Sequence, residues 1–186
     1  MKRQDRSLVL IAVLMVIAAA MSRLFFYPLN YSPVIAMALF GGSVIKDKKI
    51  AFALPLFAML LSDIFFEVFN IATGFWGWGQ LIGYGIFAII TLFGFNLKKI
   101  NIFNVAGFSV MSSLIFFFLS NTSFWLIDNP TYHLYTQDFR GYLNSLIGGL
   151  PFLEKGLIID LAYSSVFFGG YVLMEKYAVR KTPAIA

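Results

Sequence analysis

Cysteine is absent from this chain, which excludes disulfides, thiol catalysis and thiolate-bound metal or iron–sulfur centres. Histidine occurs once, as His133, in a polar stretch with no partner motif. An intramembrane serine protease needs a base beside its nucleophile, and a zinc enzyme needs several ligands at helical spacing, as in H-E-x-x-H. Neither pattern is present, and there is no glycine-rich phosphate loop through which the chain could use ATP itself. The expectation is a protein that is not an enzyme and holds no metal or cofactor. Charge is scarce too: 12% of residues are charged, against about 25% in a soluble domain.

Apolar residues make up 60% of the 186, and the mean hydropathy is +0.81. Such a surface meets lipid rather than water, and the length allows a single domain over residues 1–186 with about six spans of roughly 20 residues. Six apolar segments are legible: Leu8–Phe26, Pro33–Ile45, Ile50–Phe69, Phe75–Phe95, Phe103–Ile127 and Leu157–Met174. A more polar piece, Gly141–Phe152, reads as an interfacial or re-entrant helix ahead of the last span. Strict two-residue alternation is missing and lipid leaves open sheet edges unsatisfied, so the expected fold class is an all-α six-helix membrane bundle. The basic start before Leu8 also fits a secretory signal peptide, but the apolar run is long for one and reads as a retained first helix.

The net charge of +5 lies in short clusters between apolar runs, a topology signal rather than a nucleic-acid surface. The second segment is short, about 20 Å of helix at about 1.5 Å per residue. Charge arbitrates. If all six segments cross and the N-terminus is cytoplasmic, eleven of the 14 basic residues are cytoplasmic, leaving only Arg23, Arg140 and Lys155 outside. The expectation is a bacterial inner-membrane protein with both termini inside.

That topology places Arg23, Asp63, Glu67, Asn121 and Asp160 in the outer third of the membrane, on four helices. Ionisable groups there cost about 2.5–3.5 kcal/mol each at the bilayer centre, less near the interface, and normally face the bundle interior and pair. Arg23 is expected to meet Asp63 or Asp160. The cluster would floor an outward-facing pocket with aromatic walls from Phe26, Tyr27, Trp76, Trp78, Trp125 and Tyr163, and a lid from Tyr27–Ser32 and Asp128–Arg140. A purely structural role stands beside this: Trp and Tyr collect at interfaces, and an ion pair can simply fix helix register. Ser109, Ser112, Ser113, Ser120 and Ser123 form one stripe of the fifth helix, which reads as close helix packing.

Three segments carry a resemblance: Arg23-Leu-Phe-Phe-Tyr-Pro-Leu-Asn30-Tyr-Ser-Pro33 through Gly41-Gly42 and on to Ser62-Asp63; Ser120-Asn121-Thr-Ser-Phe-Trp125; and Leu150-Pro151-Phe152 through Asp160-Leu-Ala-Tyr163. They are similar to a family of small, uncharacterised bacterial membrane proteins labelled transport proteins. That family in turn resembles the substrate-binding S subunits of energy-coupling-factor vitamin transporters. The resemblance implies a six-helix S-component-like fold that captures a micronutrient, a vitamin-like solute, at its outer face for uptake. The implied partner is a transmembrane coupling subunit with ATPases, or another membrane complex. The Ala-x-x-x-Ala docking motif common on the first helix of S subunits is replaced here by Ala12 followed four residues on by Val16. The substrate-binding residues expected are Arg23, Asn30, Asp63, Glu67, Asn121, Trp125, Asp160 and Tyr163, with Arg23 meeting a carboxylate or phosphate and the acids an amine. The competing expectation is an accessory or scaffold subunit of a larger membrane complex with no small-molecule ligand.

Overall fold

The computed structural model describes residues 6–26, 32–75 and 77–180. All regular structure among them is helical: α1 (Arg6–Phe26), α2 (Val34–Val44), α3 (Lys48–Val68), α4 (Trp78–Gly94), α5 (Ile102–Ser123), a π-turn (Phe124–Asp128), α6 (Asn129–Tyr132) and α7 (Phe139–Arg180). Four apolar stretches are long enough to cross a membrane: Leu8–Phe25, Lys48–Val68, Ile102–Tyr132 and Phe139–Lys176. Val34–Val44 and Trp78–Gly94 are shorter apolar helices. The chain is therefore an all-helical, multi-pass membrane protein by length and composition.

Short polar caps start the helices after the basic loops. Asp47 accepts from the amides of Lys49 and Ile50 (2.9 and 3.2 Å), and Asn101 accepts from Asn104 (2.8 Å). Each satisfies amides that the first turn leaves without an intrahelical partner. Between the caps, α2 carries apolar or small residues all round, which is the pattern of a helix enclosed on every side. It packs against α1, α3, α4, α5 and α7. Phe40 at its centre is fully buried and meets the rings of Phe167, Phe168 and Tyr171 on α7, with centroids 5.7, 5.3 and 5.9 Å away. Ala12, Val16, Ala19 and Ala20 of α1 are likewise buried within the chain.

The α2–α4 contact depends on two glycines. A Cβ on Gly42 would overlap the carbonyl of Thr91, and one on Gly94 would stand 2.8 Å from the carbonyl oxygen of Leu39. The backbones are that close because neither residue has a side chain.

One expected boundary is corrected. Gly141–Phe152 is not a separate interfacial or re-entrant helix, and the last helix does not begin near Leu157. Both belong to α7, which runs unbroken from Phe139 through Pro151 to Arg180. Its first turns are held by the extension of α5: the hydroxyls of Thr122 and Tyr142 lie 3.0 Å apart, and Trp125 meets the Tyr142 ring at 5.4 Å. These contacts give the polar start of α7 a surface to pack on.

Candidate functional site

The end of α1, the end of α3 and the start of α4 meet at Asp63. Arg23 Nη1 donates to Asp63 Oδ1 at 2.8 Å, while Gln80 Nε2 (2.9 Å) and the Tyr84 hydroxyl (2.5 Å) donate to Oδ2. Arg23 Nη1 also donates to Ser62 Oγ, and its guanidinium lies 5.2 Å from the centroid of Phe66. Three donors thus offset the desolvation of a buried carboxylate. This is the only ion pair among the described residues. The pairing of Arg23 with Asp63, one of two expected, is the one formed.

Glu67 points elsewhere. It is exposed and accepts from the amide of Gly74 at 2.9 Å, and Gln80 holds the carbonyl of the same Gly74 at 2.8 Å. Together they fold the α3–α4 loop down over Asp63.

Beside this network lies a cavity of about 720 Å³. All the helix layers reach it: Arg23 from α1, Ser32 and Val34 at the start of α2, Met59 from α3, Phe87 from α4, Ser113 and Asn121 from α5, and Asp160 from α7. Its size and its mixture of apolar walls with a few polar groups are those of a small-molecule site. Asp160 is 2% exposed and accepts a hydrogen bond from Ser113 Oγ at 2.7 Å. One turn away, Ser164 Oγ donates to Ser109 Oγ at 3.1 Å, so the serine stripe of α5 faces α7. Part of the stripe packs helices, as expected, and Ser113 also addresses the acid. Asn121 anchors its amide on Phe117 O at 2.8 Å and stands against Gly149, where any Cβ would strike it.

Of the substrate-binding residues expected from sequence, Arg23, Asn121 and Asp160 line the cavity. Asp63 supports Arg23 from behind. Glu67, Trp125 and Tyr163 do not line it. Trp125 Nε1 donates to the carbonyl of Thr136 (3.0 Å) and its own carbonyl accepts from Gln137 (3.2 Å), which pins the 133–138 loop. Tyr163 stacks on Phe167 at 6.0 Å and packs on the core. Trp78 is 77% exposed. Asn30, Tyr27 and Trp76 lie outside the described residues, as does the side chain of Phe26. Among the described residues, the aromatic walls come from Phe87, Phe116, Phe117, Phe124 and Phe152. In a chain so rich in phenylalanine, composition does not distinguish these rings from lipid-facing ones.

The loop above α7 is ordered by Asp138, which accepts from the Thr136 hydroxyl and the Gly141 amide, both at 2.7 Å. These bonds, that from Thr136 first, hold its carboxyl below the usual aspartate range. His133 is exposed and closes α6 in the left-handed conformation (φ 54°). No group of three or more potential metal ligands occurs among the described residues.

Neither the curated proteins nor the solved structures hold a match to this chain. A family model does match, over residues 2–184, and by that match the chain belongs to DUF6580, a family of unknown function.

Proposed function

We propose that the protein binds a small vitamin-like solute in the cavity beside Asp63, as a membrane transport protein that captures its substrate at the outer face. The observation that carries this is Asp160: a carboxylate 2% exposed, on a membrane helix, at the edge of a cavity of about 720 Å³, with Ser113 as its one hydrogen-bond donor among the described residues. Ionisable groups inside a membrane bundle are costly and mark substrate paths more often than they merely pack.

The same reading makes the chain an S-component-like bundle in which α2 and α4 also cross, giving six spans with both termini in the cytoplasm of a bacterium. The lysine clusters at Lys46–Lys49 and Lys98–Lys99 lie at the opposite end from the Arg23–Asp63 network, and this supports it. Energy for release would come from a coupling subunit with ATPases or from another membrane complex. The small face of α1 is buried inside the chain, so such a partner would dock on other helices.

Thermal unfolding of the purified protein with a panel of vitamins tests the binding reading. A ligand is expected to raise the midpoint of the wild type but not of Gly156→Leu. Gly156 lines the cavity with open space where a Cβ would stand, so the substitution fills the site without a backbone clash. Protection that persists in Gly156→Leu places the site elsewhere.

A second reading, a scaffold subunit without a ligand, draws on a different observation. An apolar groove of about 590 Å³ runs between α5 and α7 beside the exposed Ser165 and Gly169, which would let a partner helix approach closely. A stoichiometric partner without ATPases, co-purifying in mild detergent, would favour it.

A further inference from the structure

Three charged groups line the cavity: Arg23, Lys155 and Asp160. Asp160 presents Oδ2 to Ser113, and Oδ1 carries no hydrogen bond among the described residues. Asp63 contributes nothing to the lining, because Arg23, Gln80 and Tyr84 occupy it. The acid that faces a ligand is therefore Asp160 alone. Two cations share the lining. Arg23 uses only Nη1 on Ser62 and Asp63, which leaves Nη2 and Nε without a hydrogen-bond acceptor among the described residues. Lys155 is exposed and forms no ion pair among them.

Lys155 precedes Asp160 by five residues on one helix, a rise of about 7.5 Å at about 1.5 Å per residue. Five residues also turn the helix by about 140°, so the two side chains diverge in direction as well as in height. Met59, Phe87, Phe116 and Phe117 line the same cavity. A ligand with a single charge would answer either Asp160 or the two cations, and the buried Asp160 is costly to leave without a partner of opposite charge.

Resting on the binding reading above, we propose that the substrate is a zwitterion whose charges are well separated. An ammonium or comparable N–H donor binds Asp160, a carboxylate or phosphate binds Lys155 and Arg23, and an apolar or aromatic body lies between. An α-amino acid, with its two charges adjacent, is too short to reach both Lys155 and Asp160. A lipid-borne zwitterion such as phosphatidylethanolamine offers the same chemistry with closely spaced charges.

The test uses the detergent-purified full chain and its thermal midpoint with glycine, β-alanine, 6-aminohexanoate and 4-(aminomethyl)benzoate. Benzoate and benzylamine serve as single-charge controls, and phosphatidylethanolamine as the lipid source. The two long zwitterions are expected to protect most. Asp160→Asn should weaken their apparent affinity at least tenfold while leaving the weak effect of benzoate unchanged. Lys155→Gln should do the same while leaving benzylamine unchanged. Circular dichroism and the ligand-free midpoint establish that each variant folds. Equal protection by glycine, protection by phosphatidylethanolamine alone, no protection by any zwitterion, or full affinity in Asp160→Asn each overturns the proposal. A vitamin that protects the wild type and not Gly156→Leu, while the zwitterions fail, leaves the binding reading standing and removes only the charge rule. Protection undiminished in Gly156→Leu removes both.

Discussion

At the scale of single residues, the centre of this molecule is the Asp63 carboxylate. Its donors come from the end of α1 and the start of α4, so one charge ties three helices together at their termini. Removing one partner of such a pair strands the other. Arg23→Met is therefore expected to lower stability by about 3 kcal/mol, and Arg23→Met combined with Asp63→Leu to recover most of the loss. Denaturant unfolding in detergent measures both. A double variant as unstable as the two single losses added together would mean that the residues are not coupled. Arg23, Asp63 and Asp160 were legible in the sequence because a charge inside an apolar run has few places to go. Gln80 and Tyr84 were not, although a glutamine in the apolar run of α4 was a signal available to find. Ser113 looked like any other member of a packing stripe, and only the register of α5 on α7 shows which serine meets the acid.

At the scale of elements, helix spacing is set by where side chains are missing. Gly42 and Gly85 are both helical glycines, yet a Cβ at Gly42 would overlap the backbone of Thr91, whereas one at Gly85 would meet nothing. Gly42→Ala is expected to cost about 1–3 kcal/mol through overpacking. Gly85→Ala should be neutral or slightly stabilising, since alanine is the better helix former by about 1 kcal/mol. Thermal midpoints of the two variants decide the matter, and equal effects would contradict it. The apolar runs of α1, α3 and α5 announce themselves. The true extent of α7 does not, because Pro151 and the polar residues around it resemble a break. The helix nevertheless continues, with Gly149 set close against Asn121 and Phe117 of α5, and such tertiary packing leaves no mark on local pattern.

At the scale of the whole molecule, the proposed orientation can be read chemically, because the native chain has no cysteine to interfere. In intact spheroplasts a membrane-impermeant maleimide should label Thr131→Cys and not Lys98→Cys, with both labelled after lysis. The reverse pattern would invert the topology. Composition alone was enough to indicate a helical membrane protein. Which helix sits in the middle was less plain, since α2 is the shortest apolar run of the six and enclosure is a property of its neighbours. That enclosure has a bearing on biogenesis. The rings that cover Phe40 belong to Phe167, Phe168 and Tyr171, which leave the ribosome long after it. Until then the central helix stands with one side uncovered. A chain cut short ahead of Phe167 would insert its earlier helices and still present an unfinished flank to the proteases that clear incomplete membrane proteins. α7 is thus the helix that closes the bundle over α2, long after α2 itself has been made.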